Sequence, residues 1–148
     1  MNRTDAKKYR ERANRAWREL RKEKETYGGI DDGTGKRYRA PVYYVLAGDP
    51  EKALEVYGWV EHEVPDDIGE PAFDLYWVLA AYRAGAMEEA RRRFPAAMIH
   101  NLYMVPYLIG EPWEPLEIWH GSNQQRSEYL GEIEELLQEP TVEEREWM

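Results

Sequence analysis

A ten-residue pattern repeated at an offset of 37 constrains this chain more than any other feature. Gly48-Asp49-Pro50-Glu51-Lys52-Ala53-Leu54-Glu55-Val56-Tyr57 returns as Gly85-Ala86-Met87-Glu88-Glu89-Ala90-Arg91-Arg92-Arg93-Phe94. In each copy a Gly turns the chain, an Ala stands five positions on, and an aromatic follows four positions later. A small residue where two antiparallel helices cross lets their backbones approach, and an aromatic one turn later fills the wedge toward the next pair. The pattern therefore predicts two successive helix pairs, each folded at its Gly.

The rest of the chain fits around these pairs as one domain, residues 1–148. Residues 4–27 read as an amphipathic helix, with Tyr9, Ala13, Ala16, Trp17 and Leu20 on one stripe and Gly28-Gly29 as its stop. A Gly-rich loop leads to a helix from about Lys36 to Ala47. Asp49 then caps the next helix, with Pro50 at its first position, where the missing N–H is harmless. That helix ends at Val64-Pro65, since Pro disfavours helical geometry in the residue before it. A nearly all-apolar helix runs from Glu70-Pro71 to Gly85, and another starts at Ala86-Met87. Pro95 is expected to kink or break the latter at Phe94. Residues 103–148 hold an irregular segment rich in Trp and Pro, after a short helix from Leu102 to Ile109. A helix from about Gln124 to Gln138 follows. Thr141 with Glu144 then forms a capping box for a last helix. Nothing alternates with a period of two, so no sheet is expected.

The order of turn, Ala, aromatic and then Pro-Asp-Asp resembles the tetratricopeptide repeat. The matching positions are Tyr44, Ala53, Tyr57 and Pro65 in the first copy, and Ala90 and Phe94 in the second. The spacing departs from the family's period of about 34 residues through extra residues around Asp66-Asp67-Ile68-Gly69. The first-helix Trp position holds Lys or Asp, and Pro95 interrupts the second copy. The resemblance spans residues 35–102. It implies an all-α fold of antiparallel helix pairs in a right-handed superhelix. Two repeats are fewer than the three or so that a solenoid needs, so N- and C-terminal helices must cap the stack. The resemblance also implies a ligand groove lined by the first helix of each pair. On this chain that face comprises Tyr38, Val42 and Val45, then Leu75, Leu79 and Tyr82. The alternative is that the chain's own first helix or tail fills it.

Composition narrows the function classes. The chain has no cysteine, which excludes disulfides, thiolate metal sites and a cysteine nucleophile. The start is polar and no apolar run approaches the roughly 20 residues of a membrane span, as expected of a cytoplasmic protein. Residues 1–47 carry thirteen Lys and Arg against seven Asp and Glu, a net +6, while the remainder carries −15. A basic arm could meet nucleic acid, but the overall charge of −9 would repel phosphate. The plainer reading sets the basic helix against the protein's own acidic surface or leaves it as a solvated face.

Asp74 stands alone among Phe73, Leu75, Tyr76, Trp77 and Val78, where a carboxylate needs a partner. It could anchor a basic ligand group or form a structural pair, with Arg39 as the candidate. Asp31-Asp32-Gly33-Thr34-Gly35-Lys36-Arg37 lacks the pattern of a phosphate or calcium loop and reads as a turn capping the next helix. Trp113, Trp119, His120, Gly121, Ser122 and Asn123 could contact a partner. Equally, the tryptophans could staple the segment down, with Asn123 as a helix cap. His62, His100 and His120 show no metal-ligand spacing, and no catalytic constellation stands out. The expected function is non-catalytic: a module binding a peptide or protein partner, without cofactor or metal. The alternative is a small enzyme or ligand-binding regulator using the Asp31–Arg37 and His120 loops. A stripe left bare would favour a homodimer.

Overall fold

The computed structural model describes residues 3–116, 122–132 and 134–148. Among these every regular element is helical: α1 (Arg3–Tyr27), α2 (Lys36–Leu46), α3 (Pro50–Glu63), α4 (Pro71–Arg83), α5 (Met87–His100) and α6 (Met104–Ile109). A 3-10 turn (Asn123–Gln125), α7 (Glu128–Glu132), α8 (Glu134–Leu137) and α9 (Val142–Trp147) follow. The all-α class is as expected from the sequence. No helix among the described residues is long and apolar enough to cross a membrane.

The duplicated pattern produces the same local geometry twice. Gly48 and Gly85 both take positive φ, 75° and 77°. After the first, the Asp49 N–H donates to the Tyr44 carbonyl and the Gly48 N–H to Val45. After the second, the Ala86 N–H donates to Ala81 and the Gly85 N–H to Tyr82. This paired bonding satisfies the last carbonyls of a helix and turns the chain back on itself. Asp49 accepts the Lys52 N–H at the start of α3, with Pro50 in the first turn. Ala53 and Ala90 are both fully buried, as a close helix crossing requires. The aromatics diverge. Tyr57 is buried, stacks on Trp77 at 4.6 Å and donates its hydroxyl to the Phe73 carbonyl, whereas Phe94 is partly exposed and meets Trp147.

Helix α1 runs antiparallel to α2. Near its start Arg10 bonds Asp49 beyond the far end of α2, and near its end Glu23 accepts the Asp31 N–H. Its apolar stripe, Ala13, Trp17 and Leu20, is buried in one core with Val42, Tyr44, Val45, Tyr57 and Leu79. Helices α2 and α4 lie side by side, with Tyr38 edge-on to Phe73 at 5.4 Å. A second core joins Ala72 and Leu75 of α4 to Tyr103, Met104, Val105, Leu108, Leu130 and Leu137.

Two expectations are corrected. Pro95 does not end α5, which continues to His100. Proline removes the N–H that would bond the carbonyl of Arg91, but both residues are exposed, so water satisfies that carbonyl. The helix expected over 124–138 is divided. Asn101, fully buried, donates its amide to the carbonyls of Asn123 and Arg126, drawing them away from a continuous helix. Ser122 rather than Asn123 caps this turn, accepting the Gln124 N–H.

The equivalence of the two turns is measurable. A Cβ at Gly48 or Gly85 would meet no atom within 4 Å, so substitution there tests backbone strain alone. Gly48→Ala and Gly85→Ala are each expected to lower stability by about 1–2 kcal/mol in denaturant unfolding, with the double variant additive.

Candidate functional site

The face implied by the repeat resemblance is covered by the chain itself. Val42, Val45 and Leu79 are buried in the core that receives α1, and Leu75 is buried in a core with Tyr103, Met104, Val105, Leu108, Leu130 and Leu137. These four side chains therefore offer no surface to a partner in this conformation, because α1 and the C-terminal elements already occupy it. Tyr38 and Tyr82 remain partly exposed.

Tyr38 belongs to a polar network at the start of α2. Its hydroxyl donates to Asp67 at 2.6 Å, and Arg37 bonds the same carboxylate through Nε at 2.6 Å. Burial, followed by the bond to Asp67, pushes the Tyr38 hydroxyl up to about 12. Burial alone would raise the Asp67 carboxyl, but the bonds from Tyr38, Arg37 and the Gly69 N–H prevail and hold it lowered. Within the Asp31–Arg37 loop the buried Asp32 accepts the N–H groups of Lys36 and Arg37, both at 2.7 Å, one on each oxygen. Its carboxylate thereby satisfies two N–H groups at the start of α2.

Asp74 pairs with His100, Oδ2 against Nδ1, and not with Arg39, which is exposed. The bond ties the start of α4 to the end of α5. Gly69 makes room for it, since a Cβ there would lie 2.8 Å from Asp74 Oδ1.

A further charged cluster, at the end of α4, has no signal in its local sequence. Arg83, the last residue of α4, is clamped by two carboxylates of the C-terminal segment. Its Nη2 lies 2.6 Å from Glu139 and 2.8 Å from Glu144, and its Nε bonds Glu144 as well. Burial would lower the Arg83 guanidinium, but the bonds to Glu144 and Glu139 outweigh it and raise it. Burial likewise opposes ionisation of Glu144, but Arg83 and the Thr141 N–H hold its carboxyl lowered. Glu144 serves twice, since the capping box at Thr141 uses the same side chain. Three residues on, Trp147 lies against Tyr82 at 5.0 Å and Phe94 at 5.5 Å. Tyr82, Arg83 and Phe94 thus form a seat for α9. The legible signal was the Thr141–Glu144 box; nothing local marked Arg83 as its partner.

Trp113 is partly exposed and packs on Tyr103 at 5.3 Å, while the Leu116 N–H donates to the Tyr103 hydroxyl. It fastens this stretch to the body. Trp119 and His120 lie outside the described residues. Among the described residues no group of three or more His, Cys, Asp or Glu is placed to hold a metal. The charges instead tie helices together.

Two outcomes follow. Arg83→Ala strands Glu144 in a buried position and is expected to destabilise the chain by about 3 kcal/mol. It should also speed tryptic cleavage at Arg145. Glu144 and Asp67 both have lowered carboxyls, so their contribution is full above the ordinary carboxylate range and is lost as pH falls through their folded-state values. Stability should therefore drop as pH falls below about 4.5. Glu144→Gln should flatten that decline in thermal melts followed by circular dichroism.

No known protein family, no curated protein and no solved structure matches this chain.

Proposed function

We propose that the chain is a non-catalytic, tetratricopeptide-like module of the cytoplasm that recognises a protein or peptide segment at the α4 side of its helix pairs, beside the groove that α1 and the C-terminal elements fill. The observation that carries this reading is the duplicated hairpin, with its matching Gly48 and Gly85 turns and its buried Ala53 and Ala90. Successive copies of one such unit place their first helices side by side, as α2 and α4 lie. Repeat proteins use that arrangement, continued as a right-handed superhelix, to present an extended binding surface.

The charged groups support the same reading. Asp32, Asp67, Asp74 and Glu144 each hold a helix end or a tertiary pair, and none is set apart in a cleft for proton transfer. In this reading a partner reaches the α4 side where Tyr82 remains accessible, at the margin of the C-terminal segment.

Selection of displayed peptides on the immobilised chain tests the proposal. Selected peptides should shift backbone amide resonances of α4 and α5 around Tyr82 and Phe94. Tyr82→Ala should weaken their binding at least tenfold. Peptides that bind while leaving α2, α4 and α5 unperturbed would refute the reading.

A further inference from the structure

We propose that the seat formed by Tyr82, Arg83 and Phe94 recognises an acidic helical segment bearing an aromatic residue, with the chain's own Glu139–Met148 as its resident occupant. The inference rests on the interaction-module reading and names the chemistry of the partner.

The resident segment shows what the seat selects. Arg83 presents three nitrogens, and two carboxylates approach them, from Glu139 before α9 and from Glu144 within it. A guanidinium suits this task because its planar fork bonds carboxylate oxygens in parallel. Glu144 and Trp147 are three residues apart on a helix, so carboxylate and indole project from one face. That spacing matches the seat, where Arg83 follows Tyr82 and Phe94 comes from the neighbouring helix. The opposite side of α9 makes no such demand: Val142 is 72% exposed, and Glu143 and Glu146 are exposed too. The recognition element is therefore a carboxylate, a second carboxylate five residues on, and an aromatic three beyond that.

The occupant is also the kind of segment that can be exchanged. Helix α9 has six residues, far fewer than the roughly 12–15 an isolated helix needs to be even marginal. Arg145 bonds the carbonyls of Pro140 and, just before the segment, Gln138, so it adds no tie to α4 or α5. The hold of α9 on the body rests on the Arg83 clamp, the Trp147 contacts, the packing of Met148 and its contacts with α6. A partner helix offering two carboxylates and an aromatic at the same spacing would compete for the same groups.

The test uses residues 1–148 with Glu144→Ala and Trp147→Ala together, so that the segment is present but no longer competes. A labelled peptide of sequence Glu139–Met148 is titrated in and followed by fluorescence anisotropy. We expect it to bind this variant at least tenfold more tightly than the unaltered chain. Adding Arg83→Ala, or using a peptide carrying Glu144→Gln, should weaken binding at least tenfold. Equal binding to variant and unaltered chain, or binding indifferent to Arg83→Ala, would overturn the proposal. Should the variant prove unfolded by circular dichroism, the unaltered chain serves instead. Excess peptide should then accelerate tryptic cleavage at Arg145 by displacing the segment, and an unchanged rate would overturn the proposal. Loss of this peptide's binding while selected peptides still perturb α4 and α5 would defeat the partner chemistry alone and leave the module reading standing.

Discussion

Helix α4 must be hidden on nearly every side, and the rest of the molecule follows from that. Pro71 through Ala81 are buried apart from Asp74, so the helix has no face to give to water. A helix that is hydrophobic all round demands cover all round. Helices α2, α3 and α5 supply most of it, and two helix pairs cannot supply the remainder. The short C-terminal helices complete the enclosure, with Leu75 meeting their core and Arg83 holding their far end. Enclosure leaves polar residue behind: the Tyr76 hydroxyl and the Trp77 indole N–H are buried without a hydrogen-bond partner. Arg93 lies over the Trp77 ring at 3.4 Å in a cation–π contact, which covers the ring face but leaves the indole N–H unpaired.

What the sequence could reveal was what physics keeps local. Gly48-Asp49-Pro50, the Gly85 turn and the Thr141–Glu144 box are each decided within a few residues, and all are present. Long-range polar partners were not legible. Asp74 plainly needed a partner, but nothing in its neighbourhood pointed 26 residues on to His100. Asn101 looks like an ordinary residue between helices, yet its side chain also accepts the N–H groups of Tyr103 and Met104, joining α6 to the turn at Asn123. Pro95 was misjudged because its effect depends on whether the freed carbonyl can reach water, which is a property of the fold. Val42, Val45, Leu75 and Leu79 are apolar, and apolarity alone does not say whether partner or self will cover them.

The uneven charge has an equally physical resolution. Part of the basic first helix meets the acidic body: Arg10 pairs with Asp49 and Lys24 with Glu63. Arg21 and Lys52 both stand over the Trp17 ring, at 5.5 and 5.7 Å, shielding it where it reaches the surface. Lys7, Lys8, Arg15 and Arg18 are exposed on the far side of α1. Exposed pairs contribute at most about 1 kcal/mol each, so the charge asymmetry shapes solubility and encounter more than stability.

The double duty of Glu144 has a consequence for the C-terminal segment. One carboxylate both accepts the Thr141 N–H at the start of α9 and bonds Arg83 at the end of α4, so unwinding the first turn of α9 disturbs the clamp as well. The cap of α9 and its clamp on Arg83 are therefore coupled through one side chain. The C-terminal cover of α4 rests on a carboxylate shared between local helix geometry and a long-range ion pair.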